Sequence, residues 1–317
     1  MTAKNSRHLV DPQLLPLLDT MPDIELSEAI LPLVRAAPPR FEVEARDRER
    51  TAMSTRRVPG PPDAAEVAVT IYRPTGATGL LPCIFHIHGG GYVTGSAASM
   101  EAVHRPLAAD LNCCIVSVDY RLAPETRFPG AVEDCYAALR WLHANAAELG
   151  IDPRRVGVMG ESAGGGLAAA LTLLVRDRGE FTFSFQHLIY PMLDDRTCVT
   201  PEPHPFTGDF VWTTQRNHFG WRSLLGVEPG SAGVSPYAAA ARATDLSNLP
   251  PLFLSTGALD LFLEEDLEYA RRIVRSGVPV ELHVYPGAYH GFQWAPTADV
   301  SIMAARDSRD ALRRAMK

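Results

Sequence analysis

The sequence has no long uninterrupted apolar run. Its longest, Leu167 to Val175, is broken by Thr172 and falls well short of the ~20 residues needed to cross a bilayer. The first residues carry apolar side chains, but Asp11, Pro12, Pro16 and Asp19 interrupt them, so the continuous core and small-residue cleavage site of a secretory signal are missing. A cytoplasmic protein without a membrane span is expected. Basic excess is missing as well: 30 Lys and Arg stand against 37 Asp and Glu, a net charge of −7, with the arginines scattered. Binding to nucleic acid rests on clustered cations that neutralise phosphates, so no nucleic-acid partner is expected. The five cysteines, Cys83, Cys113, Cys114, Cys135 and Cys198, form no CxxC pair and have no histidine at zinc-ligand spacing, which points to buried free thiols. Neither a GxGxxG fingerprint nor a Walker lysine occurs, and no internal repeat or low-complexity segment is found. Neither metal nor nucleotide cofactor is expected.

What is present is the composition of a globular chain. Hydrophobic residues make up 46% and charged residues 21% of 317 residues, enough for one large α/β domain with an appendage. Alternation in FEVEAR (41–46) and AEVAVTIYRP (65–74), around the turn-rich VPGPPD, predicts two antiparallel strands at the start. A repeating pattern follows: strands at 82–88 and 113–120, a helix at 131–149, a strand at 155–160, a helix at 165–177 and a strand at 185–191. It resumes with a strand at 251–257, a helix at 264–276, a strand at 280–286 and a terminal helix from about 298. Short apolar runs alternating with helices predict a mostly parallel central sheet covered by helices on both faces. The 131–149 helix is the clearest, with Val132, Cys135, Tyr136, Leu139 and Leu142 on one face. Residues 1 to about 40 read as two short helices punctuated by proline, and a polar, aromatic stretch from Asp194 to Pro236 reads as an insertion.

Chemistry enters at two glycine-rich turns. Gly160-Glu161-Ser162-Ala163-Gly164 joins a strand to a helix, where a nucleophile needs a turn too tight for flanking side chains. Such a pentapeptide arises by chance in about one chain in ten of this length, and phosphate-binding turns use the same positions, so context must decide. His88-Gly89-Gly90-Gly91 after another strand is far rarer by chance, about one chain in several hundred. A glycine loop can aim backbone N–H groups at the negative oxygen formed in acyl transfer, and Gly89, Gly90 and Ala163 are the candidate donors. His88 precedes the nucleophile and reads as a structural residue of the loop; a metal role for His86 and His88 lacks a third ligand.

A general base should follow the nucleophile, and His290, just past a strand end in Tyr289-His290-Gly291-Phe292, is the candidate. His204, His218 and His283 are the other histidines in that region. Asp260, past the strand that ends at Gly257, is the candidate acid that orients the imidazole, with Glu264 and Glu265 as competitors better suited to a helix first turn. N-capping is the alternative role for Asp260.

From about residue 65 onward the chain resembles the hormone-sensitive-lipase family of bacterial esterases, which have the α/β-hydrolase fold. The resemblance rests on His88 to Tyr92, the GESAGG box, Asp119-Tyr120-Arg121-Leu122-Ala123-Pro124-Glu125, Phe128-Pro129, Tyr190-Pro191 and His290-Gly291-Phe292. It implies hydrolysis of short- to medium-chain carboxylic esters, with Ser162 as nucleophile. It also implies a helical cap built from residues 1–45 and about 195–225 over a catalytic domain of residues 46–317. Phe206, Phe210, Trp212, Phe219 and Trp221 are then candidate pocket walls. Two positions depart from the family pattern: Glu161 stands where Asp is usual, and Leu261 where Pro usually follows the acid. The expected partner is a small-molecule ester, and a homo-oligomer stays open. Amide or lactone cleavage on the same machinery is the nearest rival, while a binding protein without chemistry would have no need of His290.

Overall fold

The computed structural model describes residues 6–22, 24–37 and 41–317. Short helices α1 (Leu15–Thr20), α2 (Leu31–Ala36) and α3 (Ala45–Arg50) lead into strands β1 (Thr51–Val58) and β2 (Val67–Pro74). Then come β3 (Leu81–Ile87), α4 (Glu101–Leu111), β4 (Cys114–Asp119), α5 (Gly130–Ala144), the single turn α6 (Ala146–Leu149), β5 (Ile151–Glu161) and α7 (Ala163–Arg178). The chain ends through β6 (Gln186–Ile189), α8 (Thr214–Leu225), β7 (Leu252–Gly257), α9 (Leu263–Arg275), β8 (Val280–Tyr285) and α10 (Asp299–Ala315). Together the strands form one eight-stranded sheet in the order β1-β2-β4-β3-β5-β6-β7-β8. β2 runs antiparallel to both β1 and β4, and every pairing from β4 to β8 is parallel.

Both faces of the sheet are covered, which explains why its central strands are apolar throughout rather than alternating. All seven residues of β3 are buried. Cys83, Phe85 and Ile87 enter one core cluster with Val116, Val158 and Leu188; Ile84 enters the opposite one with Ile115, Met159 and Ile189. Each large apolar side chain so removed from water contributes roughly 1.5–3 kcal/mol. α7 is buried along Ala163 to Val175 because it lies between the sheet and α5.

The antiparallel start holds, but its first strand is not at 41–46. Residues 41–44 are irregular and α3 begins at Ala45, while the strand that pairs with β2 is Thr51–Val58. Phe41 is largely exposed, so its alternation with Val43 reflects no buried face. The 131–149 helix breaks at Asn145, whose side-chain amide donates to the Trp141 carbonyl at 2.8 Å. Its predicted inner face is buried as expected.

Candidate active site

β5 ends at the nucleophile turn. Ser162 sits at φ 56°, ψ −126°, a conformation that side chains rarely adopt and that here projects the serine from the strand-to-helix junction. The turn is clamped by Ser162 N–H donating to the Ile189 carbonyl (2.9 Å), while the Ser162 carbonyl accepts from Gly166 and Met192 N–H. Glycine is required at Gly160 and Gly164, since a Cβ would collide with the Gly164 carbonyl in one case and the Ile87 carbonyl in the other.

Two loops beyond the carboxyl ends of β7 and β8 bring the other groups in. His290 Nε2 lies 2.9 Å from Ser162 Oγ, and His290 Nδ1 lies 2.8 Å from Asp260 Oδ2. Asp260 is wholly buried, and its Oδ1 accepts the Phe262 N–H at 3.0 Å. That fixes which oxygen faces the imidazole. The Leu261 departure does not displace Asp260: the turn is held by Leu259 N–H on the Ala288 carbonyl and Leu263 N–H on the Asp260 carbonyl. The Leu261 side chain instead packs over Gly208. Glu264 is exposed, and Glu265 holds the segment after β6 by accepting from Leu193 and Asp194 N–H and from Thr197 Oγ1. Neither glutamate is hydrogen-bonded to His290. Phe262 stands edge-on to the imidazole at 5.2 Å between ring centres, with Tyr190 at 4.6 Å and Trp212 at 6.2 Å.

The glycine loop corrects one expected donor. Gly89 N–H donates to Glu161 Oε1 at 2.8 Å and so is already committed. Gly90 and Gly91, at φ 119° and 60°, have no protein acceptor for their N–H groups among the described residues, and the same is true of Ala163. The free donors next to Ser162 are therefore Gly90, Gly91 and Ala163. His88 is structural: its Nδ1–H donates to the Gly89 carbonyl at 2.8 Å, its ring stacks on Tyr120, and Tyr120 Oη donates to the His88 carbonyl. His86 points away from it, between Ser117 Oγ and Glu161 Oε2, each at 2.9 Å.

Residues 84–294 match the family described as alpha/beta hydrolase fold. The chain belongs to the α/β-hydrolase family. Its relatives place it in the hormone-sensitive-lipase branch. The carboxylesterase NlhH of Mycobacterium tuberculosis is 33% identical over 290 residues, covering 89% of this chain and 88% of that protein. An arylesterase of Saccharolobus solfataricus is 34% identical over 73% of this chain and 74% of its own length. Among solved structures, a bacterial heroin esterase superposes with a TM-score of 0.89 at 38% identity, covering 99% of this chain and 100% of that one.

In this α/β-hydrolase the aromatic candidates divide. Trp212 is buried with its ring against Gly91 and near His290, and Phe210 is half-buried against Tyr289. Trp221 is core, wholly buried near Tyr92, and Phe219 packs with Leu31 and Val93. Phe206 is half-buried beside His204. Several hydrogen bonds tie the described N-terminal segment to the rest of the molecule around the site. Ser6 donates to Asp209, Arg216 to the Ile24 carbonyl and Tyr289 Oη to the Leu14 carbonyl. Arg35 donates to the Val93 and Ala123 carbonyls and to Glu125. Sequence reasoning missed Tyr190 and Phe262 as walls of the histidine. Tyr190-Pro191 was legible only as a family box, and nothing in the pattern marked Phe262.

Proposed function

We propose that the chain is a serine carboxylesterase working through Ser162, His290 and Asp260, with oxyanion donors Gly90, Gly91 and Ala163. The observation that carries this reading is the continuous hydrogen-bonded line from Ser162 Oγ through His290 to Asp260, ending beside three uncommitted N–H groups. His290 Nε2 takes the hydroxyl proton as Ser162 Oγ attacks the ester carbonyl, and Asp260 holds Nδ1–H and stabilises the imidazolium. The carbonyl oxygen gains negative charge where the loop donors point. Collapse expels the alcohol, which takes the proton from His290 and leaves an acyl-serine. A water then gives its proton to His290 and attacks the acyl carbon, releasing the acid and restoring Ser162.

The names of relatives, carboxylesterase and arylesterase, favour small esters. The described residues among 1–45, together with about 195–225, serve as the cap, with Trp212 and Phe210 on its inner side; residues 1–5, 23 and 38–40 of the expected cap lie outside the described residues. A panel of p-nitrophenyl esters graded from acetate to octanoate, run with the Ser162→Ala protein and a matched anilide series, tests the reading. Ester turnover that depends on Ser162 and declines at long chains supports it. Turnover of anilides alone would overturn the ester assignment.

A further inference from the structure

We propose that Glu161 is a positioning residue for acyl transfer: its carboxyl ties the nucleophile turn to the oxyanion loop and is braced by His86. This rests on the esterase reading above. Glu161 immediately precedes Ser162, and it reaches two partners at once: Gly89 N–H at 2.8 Å and His86 Nε2 at 2.9 Å. The loop sits hard against the turn at this point, since a Cβ on Gly89 would come within 2.8 Å of the Glu161 carbonyl and 3.3 Å of Ser162 Cβ. The Glu161 side chain passes between the two segments and bonds the loop directly to the turn, and Gly90 and Gly91, the free donors, follow Gly89 in that loop. An aspartate, one methylene shorter, would lose one of the two partners.

The surroundings disfavour charge on this carboxyl. Facing it are His86 from β3, His88 from the loop and His104 from α4, together with Tyr120 after β4 and Tyr190 after β6, while Asp119 at the end of β4 faces His88 and Tyr120. None is a lysine or arginine, and burial holds His86 neutral by lowering it to about 3 and depresses His88 and His104 as well. Burial in turn pushes the Glu161 carboxyl up to about 7. A second negative charge, the oxyanion on neighbouring donors, raises it further. Both protonation states keep every hydrogen bond. With Glu161 protonated, Oε2–H donates to His86 Nε2 and His86 Nδ1–H donates to Ser117 Oγ. When Glu161 is ionised, Ser117 Oγ–H donates to Nδ1 and Nε2–H to Oε2. Geometry thus survives titration, and only the charge behind the oxyanion changes.

Activity should therefore fall on the alkaline side as Glu161 ionises, and glutamine, which mimics the protonated form, should abolish that fall. The test is kcat against pH from 5 to 9.5 for wild type, Glu161→Gln, Glu161→Asp and Glu161→Ala, each normalised by active-site titration with a fluorophosphonate. Wild type is expected to lose several-fold in kcat above pH about 7, whereas Glu161→Gln shows no alkaline descent. Glu161→Ala should lose about 10–100-fold in kcat at every pH with KM within about threefold, less than the 10²–10³ of a direct oxyanion donor. Glu161→Asp should fall between Gln and Ala. An alkaline limb in Glu161→Gln equal to wild type, or a Glu161→Ala kcat equal to wild type, overturns the proposal. Failure of wild type to label at all would instead bring down the esterase reading, and this inference with it.

Discussion

At the scale of single residues, the site works by removing choices. Asp260 Oδ1 is held by the Phe262 N–H, leaving Oδ2 for His290 and so fixing the imidazole tautomer. Asp260→Asn should reverse that tautomer and lower kcat by on the order of 10⁴. Glu264→Gln, on an exposed side chain, should change kcat by less than about twofold, as ester hydrolysis by the purified variants would show. A larger loss in Glu264→Gln than in Asp260→Asn would put the acid elsewhere. On the acidic side, kcat/KM should rise with pH as His290 loses its proton, because only neutral imidazole can accept from Ser162. Undiminished activity in acid would exclude a histidine base. That Ser162, His290 and Asp260 come together was legible because strand ends and glycine turns mark them in the sequence. Gly89 was misread because its commitment to Glu161 depends on a contact between segments 72 residues apart.

At the scale of elements, what the sequence reveals is burial, and elements without a buried face escape it. The buried strands β3, β4 and β7 stand out as apolar runs. β1 does not, because Ala52 through Arg57 are exposed and no period of two is needed there. α4 was hidden for a different reason: it turns His104 and Arg105 inward and carries Pro106 in its middle, so its inner face reads as polar. α2 is attached to the oxyanion loop by Arg35 and by Leu31 packed on Val93 and Ala123. Leu31→Ala removes that packing and should loosen the cap by ~2–4 kcal/mol, below the cost of global unfolding. Limited proteolysis should then cut near Arg35 faster, and KM should rise more for octanoate than for acetate esters, because each acyl methylene loses up to ~0.8 kcal/mol of apolar contact. Equal KM changes along the series would remove α2 from acyl recognition.

At the scale of the whole molecule, one sheet gathers its functional loops beyond the carboxyl ends of β3, β5, β7 and β8, and the cost is a set of buried ionisable groups. His187, stacked on Phe253 with Nε2 2.8 Å from Ser308 Oγ, is lowered to about 3 by burial, as His86 is. A depressed histidine contributes stability that is whole above its ordinary 6.5 and is lost as pH falls toward the folded value of about 3. The urea midpoint should therefore drop with pH over that interval, and less steeply in His187→Gln, which keeps a partner for Ser308 but cannot charge. Identical slopes would mean that groups other than His187 set the acid sensitivity. The proposed chemistry turns on one nucleophile, Ser162. Wild type and Ser162→Ala should be treated with a fluorophosphonate, the adduct mapped by peptide mass, and residual hydrolysis of p-nitrophenyl butyrate followed in parallel. One adduct per chain on Ser162, rising in step with loss of hydrolysis and absent from Ser162→Ala, is the predicted result. An adduct on another residue, or ester hydrolysis in Ser162→Ala at the wild-type rate, would contradict it.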